Sequence, residues 1–243
     1  MINPTLALQA IRGVIDRRML VSYRIDPECL RPLLPAPFRP QVVDGRAVGT
    51  VCMIRLKQIR PRHIPAGLGF ASENAAHRLA VEWDDAGETR SGVFIVRRHT
   101  SSRWNAWLAG RFFPGAMRRA RFDVAEADGC FSLRMESDDA DVRLEFECRR
   151  SSAWPAGSVF PSLEDASRFF ERGAVGYSCA AGSGAIEGAA LRSFSWDVEP
   201  LEVNVARSSF FDDRRLFPAG AIELDSAIFM RGIEHEWVPA GCP

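Results

Sequence analysis

The dominant pattern along this chain is a series of short segments in which apolar and polar residues alternate, with many β-branched side chains. Alternation with a period of two places every second side chain on the same face of a strand. Strands are predicted over residues 14–25, 46–59, 75–83, 91–99, 116–125, 130–136, 142–150, 174–180, 187–198, 201–208 and 221–230. Most connections are short and polar, and the segment DDAGETRS between the third and fourth strands predicts an antiparallel hairpin.

Two segments instead have the apolar spacing and the end signals of helices. Residues 101–113 (SSRWNAWLAGRFF) begin with serines that can cap a helix, and Pro114 follows them. Residues 162–173 begin with Ser162, which resembles the first residue of a capping box, and end at Gly173. Both segments are therefore predicted to be helical.

A third, shorter helix is predicted after Asp26, because Pro27 suits the first helical position and Pro35 marks the end. No repeat, low-complexity tract or linker divides the chain, so residues 1–243 are predicted to form a single domain. The predicted fold class is α+β, mainly β: a strongly curled or closed antiparallel sheet with two to three peripheral helices. A sheet curled in this way leaves room for a central cavity.

Charge and cysteine usage exclude several classes of function. The chain has 31 Lys plus Arg and 31 Asp plus Glu, and this balance argues against binding of nucleic acid or a membrane surface. No run of 18 apolar residues is present, and the N-terminal apolar patch lacks the basic region of a signal peptide, so a cytoplasmic location is expected. None of the six cysteines forms a CxxC pair, and no histidine lies at metal-ligand spacing from one, so no metal site is expected. No cofactor is expected either.

Lysine usage restricts the covalent chemistry that the chain can perform. Only one of the 31 basic residues is a lysine, Lys57. A Schiff base with a carbonyl substrate needs a lysine amine, and arginine is a poor substitute because its guanidinium stays protonated. Imine chemistry must therefore use Lys57 or be absent.

Several segments, in order along the chain, resemble the acetoacetate decarboxylase-like superfamily. They are LVSYRIDPECLRPLLPAPFRP, GFASENAAHRLAVEW, GVFIVRRHTSS and AGRFFPGAMRRARF. The C-terminal segment, which begins EPLEVNVARSSFF, resembles more closely the YqjF-like branch of unknown function, DUF 2071. The resemblance extends from about residue 14 to residue 238 and identifies the chain as a member of this superfamily.

The resemblance implies a curled antiparallel sheet that encloses a small-molecule pocket, often within an oligomer. It also places the family's pocket glutamate at Glu73. True decarboxylases carry the Schiff-base lysine directly after an aromatic–Pro pair, whereas here Phe113–Pro114 is followed by Gly115. The resemblance therefore implies a pocket without Schiff-base decarboxylation.

Two groups of polar residues are the candidates for a site. Glu73 and His77 lie four residues apart in a predicted strand, so they share a face and could form a catalytic acid–base pair. Arg97, Arg98 and His99 end an otherwise apolar strand. Alternation puts Arg98 on the opposite face from the other two, so at least one arginine is expected to face the cavity, where it would suit a carboxylate or phosphate.

The predicted site joins Glu73 and at least one of residues 97–99 at a common cavity, bounded partly by Phe113 and Met117. The favoured function is binding of a small molecule with a carbonyl or carboxylate group, such as an oxo-acid or an aromatic or polyketide-like compound. The alternative is an enzyme, a lyase, dehydratase or isomerase, that uses Glu73 and His77 for acid–base chemistry and an arginine clamp. A homo-oligomer is compatible with either function.

Overall fold

The computed structural model of the protein describes residues 11–65, 69–108, 115–180, 183–241 and 243, with the backbone alone for residues 107 and 108. The strands in this part are β1 (Ile11–Ile25), β2 (Arg39–Pro40), β3 (Val42–Val43), β4 (Arg46–Pro61), β5 (Phe70–Asp85), β6 (Glu88–Thr100), β7 (Arg118–Ala127), β8 (Cys130–Ser137), β9 (Arg143–Arg150), β10 (Val175–Cys179), β11 (Ile186–Ser193), β12 (Glu199–Ser208) and β13 (Ile222–Ala240). The helices are α1 (Pro27–Leu30), α2 (Arg103–Leu108) and α3 (Leu163–Arg172), and one 3₁₀ turn, Arg31–Leu33, follows α1. The predicted mainly β fold class is confirmed.

The helix start signals act as the sequence predicts. The Ser162 hydroxyl accepts a hydrogen bond from the backbone N–H of Asp165 at 3.1 Å, and this cap begins α3. The Asp26 carboxylate accepts one from the backbone N–H of Glu28 at 3.0 Å and begins α1. The predicted helix at 101–113 is present as α2, and residues 109–114 lie outside the described part.

The strands close into two fused rings. A seven-strand ring runs β1–β4–β5–β6–β10–β11–β13, and a nine-strand ring runs β1–β4–β5–β6–β7–β8–β9–β12–β13. The five strands β13, β1, β4, β5 and β6 belong to both rings. Because successive side chains of a strand point to opposite faces, each shared strand supplies alternate residues to the two interiors.

Most of these pairings are antiparallel, as expected, but β6 makes two short parallel contacts. Gly176 and Tyr177 of β10 pair with Val93 and Phe94, and β7 pairs with the end of β6 from His99 onward. The chain returns to β6 after α2 and after α3, and a connection through a helix permits a parallel approach. β10 continues the seven-strand ring and β7 the nine-strand ring, so the two rings diverge at β6.

The nine-strand ring has a filled interior, and we call it the packed lobe. Its core includes Met19, Leu79, Phe146, Phe211 and Phe217, each with 0 or 1% of its surface exposed. The aromatic side chains of Phe211 and Phe217 are in contact, with 5.7 Å between their ring centroids. Apolar burial on this scale is the main source of stability in a domain.

The seven-strand ring, which we call the hollow lobe, is filled only in part. Its apolar cluster includes Ile15, Leu20 and Met230, and α3 adds Ala166 and Phe170. Phe170 contributes, with the neighbouring Gly173, to a small pocket beside Thr50 and Arg78, so α3 closes one end of the ring. The remaining interior contains the cavity described next.

Candidate binding cavity

A cavity of about 150 Å³ lies inside the hollow lobe. Every strand of the seven-strand ring contributes to its wall, together with α2 and Met117. The polar and charged lining residues are Arg18, Asn74, Arg78, Arg98, His99 and Asn105, and the thiol of Cys52 joins them. The apolar lining includes Ile54, Leu56, Ile59, Ile95, Met117, Leu191 and Trp237. A polar group set against an apolar wall is typical of small-molecule sites.

The strand register explains why the arginines converge. Cys52 of β4 is paired with Leu20 of β1 and with Ala76 of β5, and Ala76 is paired in turn with Arg98 of β6. The next residues of β4 on the same face are Ile54 and Thr50, on either side of Cys52. Arg18 of β1 is paired with Ile54, and Arg78 of β5 is paired with Thr50. The three guanidinium groups therefore surround one patch of sheet from three different strands.

The described wall of the cavity contains no Asp or Glu to balance these arginines. Burial lowers the pKa of Arg78 to about 10, and the charge of Arg18 lowers it further in the same direction. Burial likewise lowers the pKa of Arg98 to about 10, with a second contribution from the charge of Arg78. Arg78 and Arg98 both stay cationic at neutral pH, so the cavity carries a concentrated positive charge.

Two amides form the polar end of the cavity. The Asn74 side chain donates hydrogen bonds to the carbonyl oxygen of Ser72 at 3.1 Å and to its hydroxyl at 2.9 Å. The Asn105 amide of α2 donates to the same hydroxyl at 3.2 Å. The network fixes both amides beside the cationic patch, where their oxygen and nitrogen atoms can orient a second polar group of a ligand.

Glu73 is placed differently from the expectation, because it lies on the packed-lobe face of β5. Its carboxylate accepts hydrogen bonds from Arg17 and Arg55, each at 2.6 Å. Arg17 also pairs with Glu126, so the carboxylate belongs to a closed ion-pair network. Asn74, Ala76 and the alternate residues of β5 line the cavity instead, and the predicted union of Glu73 with the cavity arginines is not formed.

His77 shares the face of Glu73, as the period of a strand requires, but the two side chains have different partners. The Nε2 atom of His77 lies 2.8 Å from the Ser208 hydroxyl, and its ring packs on Phe210 and Phe211. Burial lowers its pKa to about 3, with further contributions from His99 and Arg97. A fully buried imidazole among aromatic rings is a packing residue here, remote from the cavity.

Arg97 and His99 face an outer groove, where β7 and β10 separate. Arg97 forms an ion pair with Asp141 and lies over the ring of Phe210, with 5.6 Å between its central carbon and the ring centroid. Burial lowers the pKa of His99 to about 4, against an opposing effect of Asp139. Of the three predicted ligand-binding residues on β6, only Arg98 lies on the strand face that points to the cavity interior. His99 borders both the cavity and the groove, so it is part of the wall between them.

The chain borders the same cavity again just before β7, at Met117. Met117 is part of the lining, whereas Phe113, the other predicted boundary residue, lies outside the described residues. Gly115 has φ of +74°, and a Cβ atom added there would be 2.6 Å from the Cβ of Ser178. Lys57 is half exposed and pairs with Asp16 at 2.8 Å, away from the cavity wall.

Sequence analysis missed two of the cavity residues, Arg18 and Arg78. Each carried a usable signal, because a charged residue in the middle of a long apolar strand is unusual unless it has a partner. The register between β1, β4 and β5, which the sequence does not specify, decides that they meet.

This architecture defines the acetoacetate decarboxylase-like fold. The chain is similar to an acetoacetate decarboxylase from Legionella pneumophila, with a TM-score of 0.62, 12% identity and coverage of 96% of this chain and 86% of that one. It is also similar to an acetoacetate decarboxylase-like enzyme from Sphingomonas wittichii (TM-score 0.57, 16% identity, 96% and 92% covered). A third similar structure is the enduracididine biosynthesis enzyme MppR complexed with pyruvate (TM-score 0.57, 12% identity, 96% and 88% covered).

Within this fold the chain belongs to the family DUF2071, described as an uncharacterized conserved protein, whose profile matches residues 15–222. No curated protein sequence matches the chain. No helix in the described part is long and apolar enough to span a membrane. The described side chains also include no group of three or more His, Cys, Asp or Glu that could hold a metal ion.

Proposed function

We propose that the protein binds a small organic acid in the cavity of the hollow lobe, with Arg18, Arg78 and Arg98 as the carboxylate-binding residues. The observation that carries the proposal is the convergence of these arginines on one patch of wall without an Asp or Glu in the described lining. Arginine is well suited to this role because its planar group binds a carboxylate through two parallel hydrogen bonds.

The electrostatic free energy of the cavity arginines supports an anionic ligand. Buried like charges repel each other, and a buried charge is costly unless it is paired. Arg18 and Arg78 form no ion pair with a described carboxylate, and the Nε atom of each has no hydrogen-bond partner. A bound carboxylate would offset both penalties, so its binding has a source of free energy that a neutral molecule lacks.

The dimensions of the cavity favour a small ligand. Its volume of about 150 Å³ is below the roughly 300–1,000 Å³ of pockets for drug-sized molecules. The amides of Asn74 and Asn105 suit a carbonyl or hydroxyl oxygen, and Leu191 and Trp237 suit a short apolar group. Small oxo-acids and compact aromatic acids combine these features.

A relative of the same fold supports the choice of oxo-acids as first ligands to test. MppR has been crystallised with pyruvate. At 12% identity the likeness shows the fold alone, so pyruvate is a probe for this protein and not an assigned ligand.

We further propose that the site acts without an imine intermediate. The sole lysine, Lys57, pairs with Asp16 outside the cavity, and Gly115 occupies the position that resembles the lysine site. Binding rather than catalysis is our favoured function, because the Glu73–His77 pair needed for the acid–base alternative lies on the other face of β5 and its members have separate partners.

Thermal unfolding with matched acids and amides tests the proposal. Pyruvate, 2-oxobutyrate and benzoate should raise the melting temperature more than pyruvamide, 2-oxobutyramide and benzamide, which have the same shape without the charge. A ligand at one hundred times its Kd adds about 2.7 kcal/mol to the free energy of unfolding.

Arg78→Gln should abolish the difference between acids and amides, whereas Arg97→Gln, on the opposite face and paired with Asp141, should retain it. Equal shifts for acids and amides in the unaltered protein would contradict an anion site. So would a preference for acids that survives Arg78→Gln.

A further inference from the structure

We propose that Cys52 is a covalent capture site for small anionic electrophiles, that is, carboxylates with a reactive carbon such as α,β-unsaturated or α-halo acids. The inference rests on the proposed anion binding and adds a nucleophile to the same cavity.

Cys52 lies at the centre of the cationic patch. It is diagonal to Arg18 across the β1–β4 pairing and diagonal to Arg78 across the β4–β5 pairing. Diagonal neighbours on one face of a sheet are about 7–8 Å apart, within reach of a long side chain. The thiol and the Arg78 side chain both line the cavity.

The arginines give evidence of a ligand at this position that is independent of the thiol. Arg18 is only 4% exposed and lines the cavity; its guanidinium lies over the ring of Trp196, at 5.8 Å from the centroid, and its Nε atom has no hydrogen-bond partner. The Nε atom of Arg78 also lacks a partner. A carboxylate bound by these groups would hold its neighbouring carbons beside the Cys52 sulfur, and proximity of this kind accelerates a reaction strongly.

Each reaction is a simple addition or displacement by the thiolate. With an α,β-unsaturated acid, the sulfur bonds to the β-carbon, the double-bond electrons move to the α-carbon, and the α-carbon takes up the proton that the thiol lost. With an α-halo acid, the sulfur–carbon bond forms as the carbon–halogen bond breaks, and halide and the thiol proton leave to solvent. Neither reaction needs an oxidant, a reductant or a further reactant.

The other thiols of the chain provide internal controls. Cys130 and Cys179 are exposed, so they report the intrinsic preference of a thiol between two reagents. Cys148 is 3% exposed in the packed lobe, and burial, followed by the charge of Glu147, raises its pKa to about 12, so it reports the effect of burial without a cavity.

The test compares iodoacetate with the neutral iodoacetamide on the native protein near pH 8, with peptide mass spectrometry to measure the rate at each cysteine. We expect the rate ratio of iodoacetate to iodoacetamide at Cys52 to exceed the ratio at Cys130 and Cys179 by about tenfold, because a cleft of one charge sign concentrates counter-ions. Cys148 should react with neither reagent. In Arg78→Gln the ratio at Cys52 should fall toward that of the exposed thiols.

Pyruvate or benzoate should protect Cys52 from iodoacetate and leave the exposed thiols unaffected, a result that needs no variant. The proposal is overturned if Cys52 is as inert as Cys148, or if its ratio equals that of Cys130. Acids that raise the melting temperature without protecting Cys52 would overturn the capture site and leave the anion site standing. If acids neither stabilise the protein nor protect the thiol, both proposals fail.

Discussion

Arg17 and Arg18 are adjacent in the sequence and both buried, yet they face different interiors and are treated in opposite ways. Arg17, with 0% of its side chain exposed, points to the packed-lobe side and pairs with Glu73 and Glu126. Arg18 is 4% exposed and points to the hollow lobe, where the described wall has no carboxylate. The same residue type is thus paired with carboxylates on one face of β1, whereas on the other face it lies over the ring of Trp196, at 5.8 Å from the centroid, without a carboxylate partner among the described residues.

The difference distinguishes residues that stabilise the fold from residues that are available to bind a ligand. In the packed lobe, charges are neutralised by partners within the chain and apolar side chains fill the space. In the hollow lobe, Arg18 and Arg78 have no carboxylate partner among the described residues and part of the volume is unfilled, and a protein tolerates such a cost mainly where something else supplies the match. The contrast leads to predictions on acid stability, on the arginines and on the point where the lobes diverge.

The largest expected effect is loss of stability in mild acid. Burial lowers the pKa of His77 in the packed lobe to about 3, and the pKa of His235 in the hollow lobe to about 4. The unfolded chain binds protons at these sites from about pH 6.5 downward and the folded chain does not, so stability falls as the pH drops through this window. Each imidazole contributes about 1.4 kcal/mol per pH unit there, and nothing above it.

Urea unfolding between about pH 7.5 and 4.5 measures this slope. His77→Gln and His235→Gln should each reduce it, since each removes one site of proton uptake. A bound acid distinguishes the lobes, because the charge of Arg18 contributes to the low pKa of His235 and an anion would offset it. Since His77→Gln retains His235, pyruvate should reduce the pH dependence of stability in that variant more than in His235→Gln, which retains only His77. A free energy of unfolding that is constant over this pH range would contradict the burial of neutral imidazoles.

The next largest effect contrasts the adjacent arginines directly. Arg17→Gln removes the buried cation of this network and leaves Glu73 and Glu126 with Arg55 and Arg231 as partners, so it should lower the free energy of unfolding by about 3 kcal/mol, the lower end for a broken buried pair. Arg18→Gln removes a buried charge from a group of like charges, so lost packing and reduced repulsion should nearly cancel, with a net change of about 1 kcal/mol or less. Urea unfolding at neutral pH measures both.

Ligand binding should change in the opposite order. Arg18→Gln should weaken the stabilisation by pyruvate or benzoate, and Arg17→Gln should retain it wherever the variant is folded. If Arg18→Gln destabilises the protein as strongly as Arg17→Gln, the contact of Arg18 with Trp196 already compensates its charge and the contrast between the lobes is wrong.

The sequence predicts the fold of this chain better than its site. Period-two alternation and short polar turns locate the hairpin of β5 and β6, and Ser162 locates the start of α3, because these signals are local. The second half of β13 was missed, since RGIEHEWVPA is strongly charged and is held in place by pairing with β1 on one side and β11 on the other. Local patterns carry no information about such distant partners.

The same reason explains the errors at the site. Alternation predicts correctly that Glu73 and His77 share a face, and that Arg98 opposes Arg97. It does not show which face is the cavity, because the shared strands have two interiors. A sheet with one interior would have made Glu73 a cavity residue, whereas the fused rings assign that role to Asn74 and Arg78.

The smallest of the predicted effects concerns Gly115, at the place where β7 and β10 separate. A residue other than glycine at φ of +74° is strained, and an added Cβ would also meet Ser178 at 2.6 Å. Gly87, in the turn between β5 and β6, has φ of +88° with no atom within 4 Å of the added Cβ, so it has the strain without the contact. Gly87→Ala should cost about 1 kcal/mol and Gly115→Ala about 2–3 kcal/mol, the difference being the cost of overpacking. Urea unfolding compares the two variants, and equal losses would show that β10 yields at Ser178. A larger loss for Gly115→Ala would mean that the contact with Ser178 adds to the backbone strain at position 115. A side chain at this position would then require β10 to move.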